Sequence, residues 1–188
     1  MKRLRAKRLI AVMLVSLFGA ASASAMLKAR DKAPDFTLEA ALGGKTFSFH
    51  LADALKKGPV VLYFYPKSFT QGCTIEAHDF ADNAANFAAA GASLIGVSAD
   101  NIDTQIQFSS RECRDKFPVG ADPDGKVIHE YDAQMLKLGG IGPAMSSRIS
   151  YVIAPDGRVL YAYQDMSPEK HIANTLAVVR KWRKEHGA

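Results

Sequence analysis

The sequence predicts an α/β fold, a single domain in which a central mixed β-sheet is flanked by helices. Short apolar runs at 60–65 and 92–97 alternate with stretches of helical periodicity. Two further runs, 148–153 and 159–163, are joined by Pro155-Asp156-Gly157, which reads as a hairpin and makes the sheet mixed. The length suits one domain with a proper core.

The elements follow in chain order. Residues 1–25 carry Lys2, Arg3, Arg5, Lys7 and Arg8, a short apolar run, and an Ala-x-Ala ending at Ala25. That is the pattern of a cleavable signal peptide, and the apolar run is shorter than the ~20 residues that span a bilayer. An uncleaved anchor is the alternative. The expectation is an exported, periplasmic domain of residues 26–188 with no stable membrane association after cleavage. The whole chain has 24 Lys+Arg and 19 Asp+Glu, a formal charge of +5. Five of those bases and no acids lie in residues 1–25, leaving 19 against 19. A neutral mature chain gives no electrostatic case for nucleic acid or an anionic membrane.

Phe36 and Leu38 alternate with polar neighbours, Gly43-Gly44 make a turn, and 46–49 alternate again. A short helical piece at 51–57 leads to the central strand. Beyond the loop 66–72 a helix runs to about residue 90, stopped by Gly91. At ~100° per residue, Phe80, Ala84 and Phe87 fall within about 40° of Cys73 on one stripe, with Glu76 beside it and His78 roughly 140° away. The next helix is expected over 103–115, with Ile102, Ile106 and Cys113 on one face. A short helix follows the Asp122-Pro123-Asp124-Gly125 turn, and the glycine-rich stretch 134–147 reads as a mobile loop. The last helix starts at Ser167 with Pro168 in its first position, and buries Ile172, Leu176, Val179 and Trp182.

The chemistry converges on Cys73. It enters a helix just past the end of a buried strand, where free backbone N–H groups and the helix dipole favour an anion. Such positions lower cysteine pKa values to roughly 3.5–7.5, and the thiolate is the reactive form. In an oxidising compartment, the bland reading of Cys73 and Cys113 is a structural disulfide.

Pro66-x-x-x-Thr70-x-x-Cys73 resembles the peroxiredoxin active-site pattern, and Tyr63-Phe64-Tyr65-Pro66-Lys67 with Gly72-Cys73-Thr74-x-Glu76-Ala77 is similar to its bacterioferritin-comigratory-protein branch. Ala33-Pro34-Asp35-Phe36, Asp122-Pro123-Asp124-Gly125-Lys126-Val127 and Arg148-Ile149-Ser150 extend the likeness over the mature chain. The resemblance implies a thioredoxin-like fold and thiol-dependent reduction of hydrogen peroxide or organic hydroperoxides. It implies no cofactor or metal, a thioredoxin-like or small-thiol reductant, and a monomer or weak dimer. It makes Cys73 the peroxidatic thiol. Thr70, the Cys73 N–H and Arg148 become donors to the departing oxygen, Pro66 shapes and shields the site, and Glu76 orients Arg148.

Many members of the branch carry a second cysteine five residues after the first, a position held here by His78. The resemblance therefore points to Cys113 as the resolving thiol, with local unfolding around Cys73 and 109–116, since a disulfide needs Cα atoms ~4.4–6.8 Å apart. The alternative is a core cysteine and a one-cysteine enzyme. His78 reads as a solvent-exposed helix residue rather than a metal ligand. Cys-x-x-Cys is absent, and Gly140-Ile141-Gly142 lacks a third glycine, Met145 taking its place. A non-enzymatic reading remains, an exported binding or scaffold domain stapled by Cys73–Cys113.

Overall fold

A computed structural model describes residues 26–135 and 145–187. The strands are β1 (Thr37–Leu42), β2 (Lys45–His50), β3 (Val60–Phe64), β4 (Ser93–Ser98), β5 (Val119–Ala121), β6 (Ile149–Ile153) and β7 (Val159–Gln164). The helices are α1 (Leu51–Leu55), α2 (Gln71–Ala89), α3 (Ile102–Arg111), α4 (Lys126–Glu130) and α5 (Glu169–His186). The strands form one seven-stranded sheet in the order β2-β1-β5-β4-β3-β6-β7. β3 is parallel to β4 and antiparallel to β6, so the sheet is mixed as expected.

β3 reads as an unbroken apolar run because both its faces are covered. Leu62 and Phe64 point into one core with Phe36, Val97, Tyr151 and residues of α1 and α4. Val61, Tyr63 and Tyr65 point into the other, with Cys73, Phe80, Phe87, Phe108, Cys113 and the buried face of α5. This alternation sets the site, because the strand delivers the chain to the second core just where α2 begins. The Tyr63 ring stacks on Phe80 with centroids 4.4 Å apart. It also lies over Gly96, where an added Cβ would come within 2.6 Å of the ring. Gly96→Ala is accordingly expected to destabilise the fold by about 1–3 kcal/mol, measured by chemical denaturation, because neither β4 nor the buried ring can yield freely.

Several sequence expectations are corrected by packing. α3 ends at Arg111, so Cys113 lies beyond the helix, and the buried side chains of α3 are Gln105, Phe108 and Ser109 rather than Ile102 and Ile106. The Glu112 and Cys113 N–H groups both donate to the Phe108 carbonyl, and Arg114 and Asp115 then take left-handed φ values of 52° and 56° that turn the chain away. A three-residue strand at 119–121 had no legible pattern. α5 starts at Glu169 and buries His171 and Thr175 besides Ile172, Leu176 and Val179. Trp182 is only half-buried and stacks on His186. The ends of the 134–147 stretch are paired, Gln134 bridging to Ser146 and the Met135 N–H donating to the Met145 carbonyl. The rest of that stretch, with Gly140 to Gly142, lies outside the described residues, as does the segment 1–25. Among the described residues no helix is long and apolar enough to cross a membrane.

Candidate active site

The loop between β3 and α2 is tied down by a buried polar network. The Tyr65 hydroxyl donates to Gln105 Oε1 at 2.7 Å, and Gln105 Nε2 donates to the Ser98 hydroxyl at 2.8 Å. The Ser68 N–H donates to Asp100 Oδ2 at 2.7 Å. Pro66 is buried at the start of this loop. Phe69 is held at φ 63°, an unfavourable region for a bulky residue. Its ring stands edge-on to Phe108 at 5.2 Å. The chain therefore enters α2 in one fixed direction.

Thr70 occupies the N-cap of α2, but its side chain makes no cap bond. The hydroxyl donates instead to the Lys67 carbonyl at 2.9 Å. Cys73 is the third residue of the helix and 2% exposed. Its sulfur meets Nη2 of Arg148 at 3.5 Å. Gly72 leaves room for that guanidinium, since a Cβ there would stand 3.1 Å from Nη2.

Arg148 is delivered from across the sheet, at the threshold of β6, which pairs with β3. Its Nε donates to the Met166 carbonyl at 3.0 Å and its Nη1 pairs with Glu76 Oε2. One guanidinium thus faces a sulfur and a carboxyl group, and the planar fork holds both directions at once. Glu76, one turn beyond Cys73, is fully buried. Burial pushes its carboxyl up to about 8, Arg148 opposing that rise only in part.

The sequence thus named Cys73, Glu76, Pro66 and Arg148, and the structure gathers them at one end of β3; Thr70 adjoins them with its hydroxyl turned to the loop. What sequence reading missed is His171 of α5. It lies fully buried with Nδ1 3.8 Å from Glu76 Oε1 and 2.8 Å from the Ser150 hydroxyl. A histidine among the apolar positions Ile172, Leu176 and Val179 was the available signal.

Cys113 lies in the same core as Cys73, and both are free thiols. Burial first, then Glu112 and Asp115, pushes the Cys113 thiol well above its ordinary range. Its neighbours on either side are tied to α2. Glu112 Oε2 pairs with His78 Nε2 at 2.8 Å, and Arg114 Nη1 with Asp82 Oδ1 at 2.6 Å. His78 is therefore a half-buried partner of the Cys113 segment rather than a free surface residue. Among the described residues, no group of three or more His, Cys, Asp or Glu could hold a metal ion.

A buried thiol in the first turn of a helix, under an arginine and behind the central strand of a thioredoxin-like sheet, defines a cysteine-based redox enzyme. The chain belongs to the AhpC/TSA family, whose model matches residues 29–162, and is a peroxiredoxin with thiol peroxidase activity. It is 36% identical over 148 residues to the chloroplastic peroxiredoxin Q of Triticum aestivum, covering 78% of this chain and 64% of that protein. To peroxiredoxin Bcp of Escherichia coli it is 32% identical over 162 residues, covering 85% and 97%. The crystal structure of peroxidoxin BcpB from Mycobacterium tuberculosis superposes with a TM-score of 0.73 at 33% identity, covering 82% of this chain and 97% of that one.

Proposed function

We propose that the chain is an exported two-cysteine peroxidase acting on hydrogen peroxide and organic hydroperoxides. The observation that carries the reading is the Arg148 guanidinium, shared between the Cys73 sulfur and Glu76 at the head of α2. The Cys73 thiolate attacks the terminal peroxide oxygen. An S–O bond forms, the O–O bond breaks, and the departing oxygen leaves as water or an alcohol after taking a proton. Arg148 and the first-turn N–H groups meet the negative charge that develops there. Three exposed apolar side chains, Phe69, Ile75 and Met166, flank this end of the sheet and suit an alkyl hydroperoxide.

In the second step Cys113 attacks the Cys73 sulfenic sulfur and expels water, forming the disulfide. Where it sits, Cys113 is too deeply buried to ionise readily, so the 112–116 segment must swing out first. That requires no unwinding of α3, since Cys113 already lies beyond it. A thioredoxin-like dithiol in the same compartment then reduces the bond; the N-terminal basic and apolar pattern supports a periplasmic location. The stapled-scaffold alternative is not favoured, because the chain's relatives are peroxidases.

The test is to add one equivalent of hydrogen peroxide to the reduced protein and read intact and peptide masses. Loss of two hydrogens joining Cys73 to Cys113, sulfenic acid at Cys73 in Cys113→Ser, and an inert Cys73→Ser are the expected results. Oxidation that stops at Cys73 in the wild type would make this a one-cysteine enzyme.

The ion pairs beside Cys113 give a rate prediction. The Arg114–Asp82 pair is exposed and the His78–Glu112 pair half-buried, and exposed pairs are worth ~0.2–1 kcal/mol each. Glu112→Gln combined with Arg114→Ala is therefore expected to speed disulfide formation about three- to tenfold in stopped-flow fluorescence. An unchanged rate would mean that these ties hold the segment no more tightly in the closed form than in the open one.

A further inference from the structure

We propose that His171 is a positioning residue that shares one proton with Glu76, and that this proton sets how much of the Arg148 charge is left to face the Cys73 sulfur. The proposal rests on the catalytic reading of Cys73 and Arg148 and adds a residue to it.

Glu76 has two oxygens and one visible partner. Oε2 pairs with Arg148, while Oε1 is buried with no hydrogen bond. A buried acceptor left so is costly, and natural cores rarely keep one. Facing it at 3.8 Å is Nδ1 of His171, also fully buried. The tautomer of that ring follows from its other nitrogen. Nε2 lies 2.9 Å from the Asp165 carbonyl, which can only accept, so Nε2 carries the hydrogen. In the neutral ring Nδ1 is then a bare lone pair. The Ser150 hydroxyl reaches it at 2.8 Å, and a proton on Glu76 Oε1, 3.8 Å away, is the second donor that could bond it once the two side chains close up.

An ionised Glu76 would set a lone pair of Oε1 against that of Nδ1. A proton on Oε1 turns the contact into an attraction, and the Ser150 hydroxyl fills Nδ1 when the proton is gone. Burial favours the same arrangement, pushing the Glu76 carboxyl up and the His171 imidazole down, so the proton sits on the glutamate side. The other charged or titratable groups around the pair are few. Cys73 and Asp79 come from α2, Arg148 from the start of β6, Tyr63 from β3, Tyr163 from β7 with its ring 4.8 Å from that of His171, Asp165 from the turn before α5, and Glu169 and Lys170 from the first turn of α5. Arg148 is the buried cation among them, Lys170 being exposed to solvent. With Glu76 neutral its charge is undivided and serves the sulfur and the departing oxygen. With Glu76 ionised it is shared.

The test has two arms on the reduced protein. In 15N NMR of histidine-labelled wild type, assigned with His171→Gln, Nε2 of His171 should be protonated and Nδ1 bare. The Nδ1 resonance should move with a midpoint near pH 8, where Glu76 loses its proton, and stay fixed in Glu76→Gln. In the second arm, Cys73 oxidation by hydrogen peroxide is timed from pH 5.5 to 9.5. The wild-type rate should fall on the alkaline side with the same midpoint. In His171→Asn the amide donates permanently to Oε1, so Glu76 ionises earlier and the fall should move down by about one pH unit. A purely structural histidine would lower the melting temperature and leave the midpoint in place. An Nδ1 resonance static between pH 6 and 9.5, or rate profiles that coincide after scaling, would overturn the proposal. A Cys73 that never reacts would overturn the catalytic reading instead, and the NMR arm would still decide the proton pair.

Discussion

Arg148→Met is expected to lower the second-order rate of Cys73 oxidation by about two to three orders of magnitude, the range typical for losing one preorganised donor to a developing negative charge. Methionine keeps the length and apolar stem of the side chain, so the loss belongs to the guanidinium. Arg148 is 3% exposed and makes three contacts that methionine cannot, to Cys73 Sγ, Glu76 Oε2 and the Met166 carbonyl. Stability should fall as well. Breaking a buried ion pair by removing one partner typically costs ~3–5 kcal/mol, because the other charge is left uncompensated. Here Glu76 has an escape, since it can take up a proton. The destabilisation of Arg148→Met should therefore be small near pH 5 and large near pH 8.5 in urea titrations. A cost independent of pH would show that Glu76 is not the group left stranded. A peroxide rate within threefold of wild type would remove Arg148 from the catalytic machinery.

Glu76 itself should leave a signature in the pH dependence of stability. Its carboxyl stands near 4.5 in the unfolded chain and is pushed up to about 8 by burial in the fold. The folded state therefore holds a proton that the unfolded state has released. The stability this contributes is fully present below pH 4.5 and is lost as pH rises through about 8. A rise of that size corresponds to on the order of 5 kcal/mol across the window. Glu76→Gln cannot titrate, so its unfolding free energy should fall less steeply than that of wild type between pH 5 and 8.5. The slope is the readout, because the amide also removes a counter-charge from Arg148 and shifts the absolute value. Parallel curves for the two proteins would place the Glu76 ionisation outside this range.

Both expectations depend on a carboxylate that the sequence places one turn after the cysteine but cannot show to be dry. At that spacing Glu76 could as well have faced solvent. It is buried because β6 brings Arg148 against α2 and α5 closes over both, and those contacts join residues far apart in the chain. The same applies to Cys113. Helical periodicity carried it to the end of a helix with Ile102 and Ile106. The chain instead leaves the helix at Arg111, the Glu112 and Cys113 N–H groups closing on the Phe108 carbonyl before the left-handed Arg114 and Asp115 turn it away. Local pattern has no access to such a turn when neither residue is glycine.

What the sequence determined by itself was the local chemistry of one stretch. An apolar strand running into a proline, a short polar loop and a helical pattern entered at a cysteine place a buried thiol in the first turn of α2, since strand end, loop and helix start all lie within a few residues. The turn triplets and apolar runs likewise gave the mixed sheet. The tertiary structure decided everything that needs distant groups to meet in a low-dielectric interior. It set Arg148 between sulfur and carboxylate, stood His171 against Glu76 Oε1, and fastened the Cys113 segment to α2 through His78 and Asp82. Those pairings are matters of burial and angstrom-scale distance, and only the folded chain supplies either.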